Sequence, residues 1–450
     1  MGVREVISRA VSLCVAVCLS SVAIRAQDSV RCWTLEQCIA CALENNIEIK
    51  RQQLVGETKD IALSESRWAY APSASISSIG SMSTGRVLDQ TTYEFIKNST
   101  VGSSSTSVYG SMNIFNGFKK MYALQRAKID LRADAADMDA KKYDIRKEVT
   151  AAFLILLCAQ ADLESAEQTL TLLSSQADRV AVLVESGKVT DSDLMQANSQ
   201  VFAAESDVSA AEGAVESAKL ALCQLLEIRD YPSFSIIGDD VIPIVPTRCA
   251  DVEELVSSRP EYRSGEFAIK MAAKDLSIAR SDYYPSLSLS AGYGSSWSSA
   301  RQKSIQNPDG TFRYEAYPFF EQYLDNRNSY VSLSLNIPIF NAMSVHNGVK
   351  RRKIALKDAE YALQAKLKEL AREYLQAEID CRTAHKKYLS AEQQLSYAEE
   401  AERKVRERYD LGAADFNTWN IAATELAKAR YSLSEAKYTY IFKVKVLEMF

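Results

Sequence analysis

Acid–base and metal chemistry at neutral pH most often calls on imidazole, yet this chain of 450 residues holds two histidines, His346 and His385. A His-dependent triad or metal cluster has almost no material, and both read as solvated helix residues. Cys32, Cys38 and Cys41 stand together near the start of the mature chain, where a metal site or redox pair is the sharper reading. No histidine lies nearby, however, and Cys38 and Cys41 share one helix face, which favours packing or free thiols. Gly187-Lys188-Val189-Thr190 faintly resembles a phosphate loop. Positions 182 and 189 are both valine, so the glycine and the hydroxyl residue of an anion cradle are missing. Asp191 and Asp193 place two carboxylates at a chain reversal with no evident pocket, poor ground for acid–base work. Neither an enzyme nor a cofactor is expected.

The elements that position these residues occur twice. Phe115-Asn116 returns as Phe340-Asn341 at an offset of 225 residues, and the same offset carries Gly187 onto Gly412, Ala197 onto Ala422, Ala204 onto Ala429, Ala211 onto Ala436 and Leu222 onto Leu447. Upstream, Ala71-Pro72-Ser73 matches Tyr284-Pro285-Ser286 and Glu48 matches Glu261 at an offset of 213. The second copy therefore carries about a dozen extra residues, placed in a polar stretch as a loop should be.

Arg4 and Arg9, an apolar run from Ala10 to Ile24 and then Ala26-Gln27 read as a signal peptide with its cleavage point. The run is too short for a transmembrane helix, and no later stretch is expected to reach the ~18 apolar residues that a helical span needs. An exported chain that crosses a membrane would then do so by strands. The net charge of −5, with 25 % charged residues interspersed, offers no basic surface, so no nucleic-acid partner is expected. Cys14 and Cys18 leave with the signal, and the seven other cysteines do not form a disulfide framework. The expected organisation is a signal peptide over 1–26, a first repeat over 27–230, a linker rich in proline over 231–260 and a second repeat over 261–450.

Each repeat opens on a helical pattern. Residues 33–70 read as one helix, with Thr34 and Gln37 in capping-box spacing and Pro72 as the stop. Two strands follow in each copy, most clearly Ser286-Leu287-Ser288-Leu289-Ser290 and Val331-Ser332-Leu333-Ser334-Leu335-Asn336-Ile337. Serine on one face and leucine on the other put a strand between a wet side and an apolar side. Segments of roughly ten residues suit a tilted transmembrane strand, with half-buried strands of a soluble sheet as the alternative. Long polar loops are expected over roughly 83–107 and 298–328, the latter containing the turn signal Asn307-Pro308-Asp309-Gly310.

The longest regular pattern comes next. Val149, Ala152, Leu156, Ala159, Leu163, Ala166, Leu170, Leu173, Ala177, Val180 and Val184 alternate spacings of four and three up to Gly187. The seam resumes at Leu194, and the second copy repeats it on either side of Gly412, with Leu370, Tyr374, Cys381 and Tyr388 before it and Trp419, Leu426, Ala429 and Tyr440 after it. Each glycine marks a helix stop and a reversal, so each copy ends in a helical hairpin. A helix from about 118 to 186 would be roughly 100 Å long. An ordinary two-stranded coiled coil is the alternative. Four amphipathic strands cannot close a membrane barrel alone, since the smallest have about eight, so a barrel must take strands from several chains.

In this order the residues resemble the TolC-type outer-membrane efflux proteins. The resemblance is carried by Leu35-Glu36-Gln37-Cys38, Ala42-Leu43-Glu44-Asn45-Asn46, Arg259-Pro260-Glu261, Tyr284-Pro285-Ser286-Leu287-Ser288-Leu289, Pro338-Ile339-Phe340-Asn341 and Tyr409-Asp410-Leu411-Gly412. It implies a mostly α protein with membrane β-strands: a homotrimer whose duplicated helical hairpins form an α-helical barrel continuous with a 12-stranded β-barrel. It places the barrel in outer-membrane lipid with a long periplasmic extension, joined by a periplasmic adaptor protein to an inner-membrane transporter. Adaptor docking would fall near Gly187, Lys188, Val189, Gly412 and Ala413. A closed periplasmic aperture would draw on Asp191, Asp193, Asp415 and Thr418, of which the three aspartates otherwise read as solvated turn residues. Asp193 matches a family aspartate of the first hairpin, but Thr418 and Ile421 stand where the best-known members carry aspartates in the second. An acidic ring here would therefore be sited differently.

A passive exit duct for small molecules is the leading functional expectation. The same duct serving ATP-driven protein secretion, and a periplasmic coiled-coil scaffold, are the alternatives.

Overall fold

The computed structural model describes residues 32–88, 95–187, 189–238 and 251–450. The expected signal peptide, Lys188 and part of the expected linker lie outside them. The chain divides into two compact units: Met1–Gln52, Asp139–Val256 and Leu370–Phe450 form one, and Gln53–Met138 with Ser257–Glu369 form the other.

The second unit is organised by an antiparallel sheet of β2 (Ser73–Leu88), β3 (Phe95–Asn116), β5 (Ser286–Ser298) and β8 (Asn328–Asn336), in the order β2-β3-β5-β8. Backbone register sorts the side chains by face. Met112, Leu289 and Leu333 align across three strands, as do Phe115, Leu287 and Leu335, and Val108 aligns with Ile76 and Tyr293. The alternate rows are polar: Ser73, Ser111, Ser290 and Ser332 form one, and Asn113, Ser288 and Ser334 another. The apolar face is open, with Val331 78 % and Leu333 63 % exposed. Gly292 lies beneath the Tyr330 ring, whose Cε1 would stand 2.5 Å from an added Cβ, so a side chain there would require the Tyr330 ring to swing aside.

β5 and β8, with 13 and 9 residues, keep close to the expected ten, whereas β2 and β3 and the expected long polar loops depart from it. β2 has 16 residues and β3 has 22, because the Ser/Thr-rich stretch read as loop pairs through its backbone, which no side-chain alternation announces. Hydroxyls then pair across the strands, as in Ser78–Thr106 at 2.9 Å and Ser81–Ser103 at 2.7 Å. The 298–328 stretch likewise contains a hairpin of β6 (Gln302–Gln306) and β7 (Phe312–Ala316), then helix α7 (Phe319–Asp325). The strand expected to include Ile337 stops at Asn336, leaving Phe340 exposed beyond the sheet.

The expected single helix over 33–70 is two, α1 (Leu35–Asn45) and α2 (Ile47–Trp68). Asn46 breaks it: its backbone is extended, its Nδ2 donates to the Leu225 carbonyl at 3.0 Å, and its Oδ1 accepts from Glu48 N at 2.8 Å. A buried Asn held this way caps α2 instead of continuing α1. Thr34 and Gln37 do form the capping box. Just upstream, β1 (Cys32–Trp33) pairs in parallel with β4 (Ser235–Ile236). The stretch expected as linker also contains α5 (Val252–Ser257), whose Val256 is fully buried. The counterpart of α2 in the second copy is α6 (Pro260–Ser281), with Pro260 at its first turn and Arg259 gripping Glu261 at 2.7 Å.

The long helices keep the repeat register. α3 (Lys119–Glu185) and α8 (Ser344–Asp410) each have 67 residues, about 100 Å of helix. They are followed by α4 (Asp191–Leu226) and α9 (Phe416–Glu448). Many seam positions are buried, among them Val149, Leu156, Val180, Ala197, Ala204 and Leu222 in the first copy and Leu370, Cys381, Ala429 and Tyr440 in the second, while others such as Ala159, Leu163 and Leu170 are half-buried. Contrary to expectation, α3 holds one 18-residue window apolar enough to cross a membrane, of which 33 % is buried. Val149 and Leu156, seam residues of the same helix, have no exposed surface.

Candidate functional site at the hairpin tips

The chain reverses at Gly187 and Gly412, both left-handed, at φ +73° and +71°. Gly412 N donates to Tyr409 O at 2.9 Å and Ala413 N to Arg408 O at 2.7 Å, the paired bonds of a Schellman stop. Gly187 N donates to Val184 O at 2.8 Å in the same role. A Cβ would meet nothing within 4 Å at either glycine, so the requirement there is conformational and not spatial.

Each reversal is followed by a helix start built from the same two residue types in exchanged places. In the first hairpin the Asp193 carboxylate accepts from Thr190 N at 3.0 Å and Thr190 Oγ1 at 2.7 Å. In the second, 225 residues on, Asp415 is the capping residue and its carboxylate accepts from Thr418 N at 2.9 Å and from the Thr418 hydroxyl. These donors hold both carboxyls below their ordinary range: the hydroxyl bond from Thr190 leads at Asp193, and that from Thr418 at Asp415. Thr418, at a place where the resemblance leads one to look for an acid, is thus half of a swapped capping pair. Asp191 is exposed in the first turn of α4.

Between the tips lies a cleft of about 1050 Å³ lined by Val180, Val182, Val189, Asp193, Leu411, Gly412 and Asp415, among others. It brings together four of the residues singled out from sequence: Val189, Asp193, Gly412 and Asp415. Gly187, Asp191, Ala413 and Thr418 do not line it, and Lys188 is outside the described residues. Below it, Ala177, Val180, Ala197 and Trp419 form one buried cluster, with Val189, Leu194, Val405 and Tyr409 packed against it. The Trp419 ring stacks on Tyr409 at 5.0 Å, and its Nε1 donates to Glu402 Oε1 at 3.0 Å in a buried bond. Sequence reasoning placed Trp419 only on the seam and missed Glu402. A partner 17 residues away across a turn leaves no local signal. Leu411, 84 % exposed, was within reach, since it sits inside the Tyr409-Asp410-Leu411-Gly412 pattern.

The two histidines weighed for catalysis lie apart, whereas Cys38 stands close to Cys41 and Cys223. His346 is exposed, and His385 lies beside the Tyr440 ring at 5.0 Å. Cys38 and Cys158 are pushed up to about 12 and Cys223 to about 11, in each case mainly by burial. Thiols so placed stay protonated at neutral pH.

A duplicated unit of strand pair and long helical hairpin, with one open apolar sheet face and a cleft between helical tips, defines a mostly helical protein with an amphipathic sheet. Consistent with this, the outer membrane efflux protein family matches residues 43–226 and 252–445, and the chain belongs to that family. It is an outer-membrane protein of the kind first suggested by its resemblance to TolC-type proteins. Among solved structures it is similar to CusC, at 17 % identity and TM-score 0.76, covering 94 % of each chain. It is also similar to the Campylobacter jejuni outer membrane channel CmeC, at 18 % identity and TM-score 0.76, covering 92 % of this chain and 84 % of that one. The Vibrio cholerae outer membrane protein VceC, at 15 % identity and TM-score 0.73, covers 92 % and 95 % respectively. No curated protein matches it significantly by sequence.

Proposed function

We propose that this chain is the outer-membrane duct of a tripartite efflux system, a homotrimer that passes small molecules delivered by an inner-membrane transporter through a periplasmic adaptor. The observation that carries the reading is the sheet. One face is leucine, valine and tyrosine open to the surroundings, and the other is serine and asparagine, as strands between lipid and a wet lumen must be. β2 and β8 are its edge strands within the chain, and hydrocarbon does not tolerate open edges. Three copies joined edge to edge supply the twelve strands of a closed barrel.

The tip cleft supports the adaptor half of the reading. Val182 and Leu411 are large apolar side chains exposed beside Gly412, where the helices stop, and a helical partner could cover them. Adaptor contact there would splay the tips and widen the aperture. Asp191, Asp193 and Asp415 would give that aperture its negative charge.

Cysteines introduced in pairs, one on β2 (Ser75 or Ser77) and one on β8 (Ser332 or Ser334), in a chain carrying Cys32→Ser, test the edge-to-edge assembly in isolated membranes. Oxidation should give a ladder ending at the trimer for at least one pair. Monomers alone for every pair would remove the barrel from the account.

A further inference from the structure

The loop end of the sheet carries a short helix whose side chains divide three ways. On α7, Phe319, Gln322 and Tyr323 turn toward the sheet, while Phe320 and Leu324 occupy one exposed arc and Glu321 and Asp325 the next, as 100° per residue requires. The attachment is well satisfied. Gln322, 1 % exposed, donates from Nε2 to the carbonyls of Ser298 at 3.0 Å and Tyr317 at 2.8 Å, and accepts from Ser298 N at 3.0 Å. Asn326 Nδ2 donates to Ser296 O at 2.7 Å, and the Phe319 ring lies 5.4 Å from that of Trp297.

The face that α7 covers is the apolar one. Along β5 the alternation puts Leu287, Leu289, Ala291 and Tyr293 on one side, and the same side continues through Ser295 and Trp297. At that level the rows turn to hydroxyls, with Ser104 and Thr106 of β3 beside Ser295. Tyr323 lies over this patch, its hydroxyl 2.9 Å from Ser104 Oγ and 3.4 Å from Thr106 Oγ1, while Ser295 Oγ donates to Tyr323 O at 2.7 Å. A polar island that would otherwise interrupt the apolar face is thereby sealed, and Phe320, 78 % exposed, and Leu324, 57 % exposed, take its place.

We infer that α7 is an interfacial membrane helix, with Phe320 and Leu324 seated among lipid acyl chains at the outer boundary of the bilayer. This rests on the reading of the sheet as a membrane barrel. The heights agree: from the Phe115–Leu287 row to Trp297 is ten residues of β5, roughly 33 Å of strand and about 25 Å of height at a tilt near 40°. That is the ~25 Å between the aromatic girdles of such barrels. Phe115 and Phe118, edge to face at 5.1 Å, mark one girdle, and Trp297 with Phe319 and Phe320 marks the other. The acidic arc is held on its own side, Glu321 by Lys303 at 3.0 Å and Asp325 by the Tyr317 hydroxyl at 2.6 Å. Apolar side chains on one arc and charges on the next is the pattern of a helix lying in the interface plane.

The test uses the full chain reconstituted in phosphatidylcholine vesicles with and without brominated acyl chains, carrying Phe320→Trp or, as a sheet control, Leu333→Trp. The added tryptophan emission is read as the difference from the parent chain. Both positions should emit blue-shifted light, and brominated lipid should quench each at least twofold. Leu324→Trp, on the same arc, should be quenched likewise and serves if the first variant does not assemble. Quenching at 333 with water-like, unquenched emission at 320 and 324 would overturn the inference while leaving the barrel standing. No quenching at any of the three would overturn both.

Discussion

Replacing Trp419 with phenylalanine keeps most of the buried ring and its stack on Tyr409, but removes the indole N–H that meets Glu402 at 3.0 Å. Trp419 is 2 % and Glu402 8 % exposed, so water does not readily replace the lost donor. A hydrogen bond to a charged group in such a place contributes about 1.5–3 kcal/mol. If the tip cluster opens as a local unit, that loss raises amide exchange by roughly ten- to a hundredfold around residues 177–201 and 405–423. Trp419→Ala, which also empties the ring's volume, should cost about 3–5 kcal/mol and destabilise the tips further. Hydrogen exchange followed by mass spectrometry on the detergent-solubilised protein reads both effects. Amides near Val149 and Leu156 should stay unchanged. Tip exchange identical to that of the parent in Trp419→Phe would refute the reasoning, because the Trp419–Glu402 bond would then not hold the two helices of the second hairpin together.

Three further outcomes follow from the same geometry. Gly187→Val and Gly412→Val each force a β-branched residue into left-handed backbone, costing about 1–2 kcal/mol per site, and should cut export while leaving cross-linked oligomers intact; unchanged export would separate the tips from gating. The Asp415 carboxyl is held below its ordinary value of 3.8, so its capping contribution is full above that value and fades as pH falls through the lower folded one. Protection of the Thr418 amide should therefore drop on acidification, and Asp415→Asn, still a good cap, should remove that dependence; an identical acid response in both would refute it. At pH 8 iodoacetamide should modify exposed Cys32 long before Cys38, Cys158 or Cys223, whose thiols burial keeps protonated, and rapid labelling of any of those three would contradict their placement.

Much of the helical architecture was legible because a heptad seam is a local pattern. The 225-residue offset relates α3 to α8 at both ends and α4 to α9 at their starts, and Gly187 and Gly412 stop their helices as the broken seam requires. The inner sheet was legible where serine and leucine alternate, at Ser286–Ser290 and Val331–Leu335. It was not legible over Ser99–Ser107, where ladder pairing comes from backbone groups and the side chains carry no period. Asn46 looked like one more helical residue because its partner, the Leu225 carbonyl, lies 179 residues away. At the tips, spacing pointed to Asp193 and Asp415 as charges. That each is tied to a threonine, in exchanged order between the two copies, emerged only from the side-chain geometry.

The central claim is that one chain's four strands are a third of a membrane barrel. Its most direct test is single-channel recording of the detergent-extracted protein in a planar bilayer, with the mass in detergent measured on the same preparation. A trimer should be found, giving discrete openings whose cation preference weakens when Asp191, Asp193 and Asp415 are replaced by asparagine. A monomer soluble without detergent and silent in the bilayer would contradict it.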